Sequence, residues 1–168
     1  MKRSAAYWIE RLQLTGHAEG GYFREIYRSP MSVARNHLPE GFPGDRSIST
    51  SIYFLLTAGQ FSAFHRIRSD ELWHFYNGEP VHIYELDRRG VLTIHRLGAN
   101  PDHGENFQAV VRAGNWFASR VAEEGEYALT GCTVAPGFDF ADFELASGQA
   151  LAAQYPQYAG LIRELTRG

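Results

Sequence analysis

GQFSAFHRIRSDELWHFYNG, residues Gly59 to Gly78, places His65 six positions after its first glycine, Glu71 six after that, and Gly78 seven further on. Two short β-like runs, Phe61–Arg66 and Glu71–Tyr76, flank the polar link between them. Side chains alternate across a strand, so His65 is expected to share a face with Ala63, and Glu71 with Trp73 and Phe75. By the same rule His74, three residues beyond Glu71, falls on the opposite face.

Working outward, the clearest strand is Ser47 to Leu56, where Ile48, Thr50, Ile52, Phe54 and Leu56 fall on one face and serines on the other. Further strands are expected at Tyr22–Tyr27, Val81–Leu86, Val91–Leu97, Phe107–Val111, Trp116–Val121, Tyr127–Thr133 and Asp142–Leu145. Turn signals separate most of them: Asn77-Gly78, Arg89-Gly90, Asn100-Pro101, Ala113-Gly114 and Pro136-Gly137. Many short strands at fairly regular spacing predict an all-β sandwich or barrel. Ser4 to Leu14 reads as a first helix with Ser4 as N-cap. Arg35–Asp45 reads as a loop, and Ser147–Arg167 as a helical tail interrupted at Pro156.

With 168 residues, 44% hydrophobic and 21% charged, the chain has the length and composition of one soluble domain. No apolar run approaches the ~20 residues that cross a bilayer, and the N-terminus suits an amphipathic helix better than a signal peptide. The expectation is a cytoplasmic protein without a membrane partner. A formal net charge of −3 argues against a nucleic-acid partner, which needs a basic stripe. Lys2 is the only lysine among sixteen Lys and Arg residues, which excludes Schiff-base chemistry on a core lysine. Arginine must then hold any anion. Cys132, the single cysteine, forms no disulfide within the chain and reads as a small buried hydrophobe.

The spacing of Gly59, His65, Glu71 and Gly78 resembles the first motif of the cupin superfamily. There a His-x-His pair on one strand and a glutamate on the next face into a barrel. Two departures stand out. Ile67 occupies the place of the second histidine, and Phe117, after Arg112-Ala113-Gly114-Asn115-Trp116, occupies the last ligand place of the second motif. Only His65 and Glu71 remain of four metal ligands, short of the three that a catalytic site usually needs. No cofactor is expected; were a metal held, His65 and Glu71 would be its ligands. Glu19-Gly20-Gly21-Tyr22-Phe23-Arg24-Glu25, Ser69-Asp70-Glu71-Leu72-Trp73-His74 and Gly131-Cys132-Thr133-Val134-Ala135-Pro136-Gly137-Phe138 resemble, in that order, the small cupin family described as sugar-epimerase-like. The resemblance implies a cupin double-stranded β-helix (a jelly-roll barrel) and a homodimer. It also implies kinship in shape with dTDP-4-dehydrorhamnose 3,5-epimerase and plant storage proteins, but no particular reaction.

His65 and Glu71 are the candidate catalytic pair. A carboxylate beside an imidazole orients one ring nitrogen and favours the imidazolium, as a metal-free isomerase would use; a satisfied buried pair is the plainer alternative. Trp73 and Phe75 are candidate ligand-binding residues, as a stacking wall or as barrel core, and Phe117 would narrow the cavity. By resemblance to epimerases of this fold, Arg24 is a candidate anion contact, with a surface ion pair or a dimer contact as alternatives. Gly20-Gly21 reads as a tight turn, and His17, His37, His82, His95 and His103 as ordinary surface or loop residues. Three functions stay open: a metal-free epimerase or isomerase of a sugar-like or nucleotide-sugar substrate, a non-catalytic module binding a small polar ligand, and a metal-dependent oxygenase or isomerase. The epimerase reading lacks a placed general acid.

Overall fold

Helix α1 (Ala5–Arg11) is followed by strands β1 (Thr15–Gly16), β2 (Tyr22–Arg28), β3 (Ser32–Val33) and β4 (Arg46–Ser47). Next come β5 (Thr50–Thr57), β6 (Phe61–Arg66), β7 (Asp70–Gly78), β8 (Val81–Leu86) and β9 (Leu92–Leu97). The chain then runs through β10 (Gln108–Val111), β11 (Trp116–Val121), β12 (Tyr127–Ala135) and β13 (Glu144–Leu145) to helices α2 (Gly148–Gln154) and α3 (Ala159–Glu164). The computed structural model describes residues 3–122 and 125–167. Lys2 lies outside them.

The strands pair antiparallel into a six-stranded sheet, β1-β2-β5-β12-β7-β10, and a five-stranded sheet, β13-β6-β11-β8-β9, with β3-β4 as a separate ribbon. The expected jelly-roll fold is thus present. Its interior follows from the period-2 alternation. Phe54, Leu56, Trp73, Val81, Ile83, Val111, Phe117 and Cys132 belong to one buried cluster, to which both sheets contribute. Some of the intervening side chains face outward and are covered by helices. Phe64, Tyr84 and Ala118 pack under the C-terminal helices with Leu151, Ile162 and Leu165. Leu55 and Leu129 meet Trp8, Ile9 and Leu12 beside α1. Each large apolar side chain so buried contributes about 1.5–3 kcal/mol.

Several boundaries differ from the sequence reading for local reasons. Ser4 is the N-cap, its Oγ accepting from the Tyr7 N–H at 3.3 Å, but α1 stops at Arg11, where Gln13 turns to φ 55°. The expected Ser47–Leu56 strand is interrupted at Ile48–Ser49, where the chain crosses from the β3-β4 ribbon into the large sheet, so Ile48 is left exposed. Of the expected Asp142–Leu145 strand only Glu144–Leu145 is one; Asp142 belongs instead to a 3-10 turn, Phe140–Asp142, where Asp139 Oδ1 accepts from the Ala141 N–H at 2.8 Å. Among the described residues no helix is long and apolar enough to cross a membrane.

Candidate functional site

The site begins with an irregularity in β6. Phe117 of β11 pairs with His65 and Ser119 with Ser62, so between these pairs one residue of β11, Ala118, opposes two of β6, Ala63 and Phe64. This is the geometry of a β-bulge, which re-aims side chains. Ser62 and His65 come to one side and reach the same carboxylate, while Phe61 and Phe64 pack toward the helices. The alternation that paired His65 with Ala63 is thereby broken.

The carboxylate they reach is Glu19, which sits with His17 on the turn between β1 and β2. His17 N–H donates to the Gly21 carbonyl at 3.0 Å, and Ala63 N–H donates to the Glu19 carbonyl at 2.8 Å, which ties the turn to β6. Gly20 and Gly21 have φ of +115° and +74°, a region that side chains with a Cβ rarely adopt. A Cβ on Gly20 would also collide with the Phe61 carbonyl. Gly20→Ala is therefore expected to cost about 2 kcal/mol or more from strain alone. Chemical denaturation measures it; a variant as stable as the parent would show that the turn tolerates other conformations.

The hydrogen bonds dictate where protons lie. His65 Nδ1 is 2.7 Å from the Ala63 carbonyl, which can only accept, so Nδ1 carries a proton. His65 Nε2 stands 3.1 Å from Glu19 Oε2, and one proton must lie between them. Burial raises the Glu19 pKa and lowers that of His65, which favours the neutral carboxyl beside the neutral imidazole. Ser62 Oγ donates to Glu19 Oε1 at 2.9 Å, which leaves Oε2 as the protonated oxygen. His17 Nδ1 accepts the Glu19 backbone N–H at 3.3 Å, and burial lowers its pKa as well. Its ring lies edge-on to Phe23, with centroids 4.5 Å apart, and stacks on Phe140.

Glu71 of β7 completes the cluster from the opposite sheet. Burial, then repulsion from Glu19, push its pKa from 4.5 to about 7, against the opposing pull of His65 and a hydrogen bond with Cys132. Burial first, then the charge of Glu71 and that bond, hold the Cys132 thiol protonated, its pKa raised well above the usual value. The thiol is thus a donor to Glu71 as well as a buried side chain.

These groups open on a cavity of about 250 Å³. His17, Glu19, His65, Glu71 and Cys132 line it, with Arg28, Asp139 and several apolar side chains, Ile67 among them, around them. His65 and Glu71, chosen from the sequence, are thus brought together, but not as the expected pair. The hydrogen-bonded partner of His65 is Glu19, and burial keeps the imidazole neutral rather than favouring its cation. Trp73 is 1% exposed in the core and Phe75 packs against it; neither lines the cavity. Phe117 packs on the His65 ring with centroids 4.1 Å apart and does not line the cavity either. Arg24 points elsewhere, its Nη1 donating to the Leu12 carbonyl at 3.1 Å; Arg28, four residues along the same strand, is the arginine of the lining.

Two histidines depart from the surface reading. His17 is part of the site, and His95 Nε2 lies 2.7 Å from Glu85 Oε2, a buried carboxylate that also accepts from Arg112 N–H and Asn115 Nδ2. His74 is on the outer face as expected, with its Nε2 3.1 Å from Thr133 Oγ1. Tyr84 and Asp142 are structural, the former packed under the tail and the latter paired with Arg46. Glu19 and His17 had two sequence signals: a His-x-Glu immediately before paired glycines, and the place of Glu19 at the head of the first stretch that resembles the cupin family.

The donor set does not fit a resident metal. Ile67 lines the cavity where a ligand would stand, Phe117 fills another ligand place, and both ring nitrogens of His65 are engaged. Among the described residues no group of three or more His, Cys, Asp or Glu side chains is arranged to hold a metal ion.

Comparison with known proteins agrees with the fold. Residues 6–146 match the family described as cupin superfamily (DUF985). The chain is 32% identical over 153 residues to the uncharacterized protein YML079W of Saccharomyces cerevisiae, covering 84% of this chain and 74% of the yeast protein. The crystal structure of protein SO0799 from Shewanella oneidensis is similar with a TM-score of 0.87 at 40% identity, over 98% of each chain. A hypothetical protein from Leishmania major is similar with a TM-score of 0.90 at 36% identity, over 99% of this chain and 100% of that one.

Proposed function

From a chain that belongs to the cupin superfamily, in its DUF985 family, we propose a protein that takes a small, polar, sugar-like molecule into this cavity and moves a proton on it without a metal, as an isomerase or epimerase. One observation carries the reading: Glu19, His65 and Glu71 line the cavity together, desolvated, with one proton held between Glu19 and His65. A buried acid beside other acids costs stability, and groups tuned to exchange protons near neutral pH collect where catalysis needs them.

The chemistry balances with these residues alone. Glu71 as carboxylate takes the proton from the carbon next to a carbonyl, while the proton held between Glu19 and His65 passes to the carbonyl oxygen. Glu71 then delivers its proton to the former carbonyl carbon while the neighbouring enediol hydroxyl gives a proton back to the Glu19–His65 pair, which moves the carbonyl by one carbon and restores the starting protonation state. Delivery to the original carbon, after the intermediate has turned its other face to Glu71 and with the carbonyl-derived hydroxyl returning its proton to the pair, gives the epimer. Thr50 and the phenyl faces hold the ring.

A second reading, a binding module without turnover, is favoured by the cavity lining, which contains no tyrosine to act as the acid that epimerases of this fold use. Incubation with unphosphorylated aldoses and ketoses in D2O separates the two. Catalysis predicts loss of the proton signal beside the carbonyl, abolished by Glu71→Gln. Binding with no exchange in any sugar would establish the module instead, and exchange unaffected by Glu71→Gln would remove the residue from the mechanism.

The same reading extends to a homodimer. Beyond Phe23, β2 pairs only with β5 among the described residues, and Ile26 and Tyr27 on it are exposed. An open edge of this kind supports addition of a second copy's strand.

A further inference from the structure

The charges around the cavity narrow the ligand. Among the described residues that line it, Arg28 is the one permanent cation. It is already spent: its Nε and Nη2 donate to both oxygens of Glu25 at 3.0 and 2.7 Å, and Nη2 also donates to the Phe138 carbonyl at 3.1 Å. This is the planar two-point geometry that a phosphate or carboxylate ligand would otherwise use. Asp139 adds a second carboxylate to the lining, beyond the one paired with Arg28. At the floor, two imidazoles held neutral by burial face two carboxyl groups. An incoming anion would meet carboxylates without a free cation, in surroundings where charges are poorly screened.

An uncharged polyol meets complementary groups instead. Its hydroxyls donate to the acceptor positions of Glu71 and Asp139, and its C–H faces lie against Phe23, Phe138 and Phe140. A cavity of about 250 Å³ is below the usual ~300–1,000 Å³ of ligand pockets and has room for one sugar ring. We infer that the cavity selects an uncharged, monosaccharide-sized polyol and rejects its phosphorylated or carboxylated counterparts. The inference rests on the cavity being the binding site proposed above, and it sets aside a nucleotide-linked substrate.

Matched pairs test it on the full chain by ligand-observed NMR and calorimetry: glucose with glucose 6-phosphate, fructose with fructose 6-phosphate, and galactose with galacturonate. At least one neutral member should bind, with its anionic counterpart weaker by about tenfold or more, and Glu25→Gln should strengthen the anionic member about tenfold by freeing Arg28. An anionic member binding the parent protein as tightly as its neutral partner overturns the inference, as does failure of every neutral member to bind. The two readings fail separately. A neutral sugar that binds but exchanges no hydrogen with D2O removes catalysis and leaves the ligand class. A phosphorylated sugar that turns over removes the ligand class and leaves catalysis.

Discussion

Glu71→Gln is expected to make the protein more stable at pH 8 while abolishing hydrogen exchange on a bound sugar. In the folded chain the Glu71 pKa stands at about 7 against an ordinary 4.5, so the folded state holds this proton more tightly than the unfolded state. The stability contributed by the protonated group is complete below 4.5 and is lost as pH rises through about 7. Above that range the parent protein carries an ionised, buried carboxylate, at a cost of about 3 kcal/mol. Glutamine keeps an oxygen for the Cys132 thiol and removes both the charge and its repulsion with Glu19. Thermal unfolding of parent and variant at pH 5 and pH 8 reads the difference: a gain at pH 8 that shrinks toward pH 5. Equal melting temperatures at both pH values would mean that Glu71 titrates as an ordinary exposed carboxyl. The trade of stability for a poised acid is common at functional sites.

Asp142→Ala should have the largest destabilising effect. Asp142 accepts from Arg46 Nε at 2.6 Å and from Nη2 at 2.8 Å, and both side chains are about 5% exposed or less. Removal of the carboxylate strands a buried guanidinium, at a cost of about 3–5 kcal/mol. The Asp142 carboxylate also anchors the turn Phe140–Asp142 to Arg46 of β4. That turn carries Asp139 and Phe140 into the cavity lining, so ligand affinity should fall with stability. Replacing both partners by apolar residues, Arg46→Met with Asp142→Leu, should recover most of the loss, because neither charge is left unpaired. Urea unfolding compares the three proteins. A single variant within ~1 kcal/mol of the parent would mean that water reaches Arg46 and that the pair is a surface one in effect.

The legible part of this protein followed local rules. Phe61–Arg66, Val81–Leu86 and Trp116–Val121 are strands at the residues expected, because alternating side chains and flanking turn residues act within a few positions of one another. The cupin resemblance rested on spacing along the chain, and the fold agrees with it. His65 and Glu71 were selected by the resemblance of their spacing to the cupin motif, supported by strand parity, and both line the cavity. Arg24, Trp73, Phe75 and Phe117 were harder, because strand parity says which face a side chain takes but not whether that part of the face meets a void. Trp73 and Phe75 point inward as expected, yet deeper along the barrel, where the sheets close on each other.

The pairing of His65 was beyond reach of the pattern. Glu19 lies 46 positions away in sequence and meets the imidazole only because the β1–β2 turn folds over β6. The extra residue in β6 then brings Ser62 into line with His65 on that carboxylate, which no period-2 count anticipates. Spacing thus identified two chemically capable side chains and the barrel that holds them. Their proton states, their partners and the charge of the cavity came from long-range closure and burial, because desolvation and electrostatics depend on every group brought near, not on neighbours along the chain.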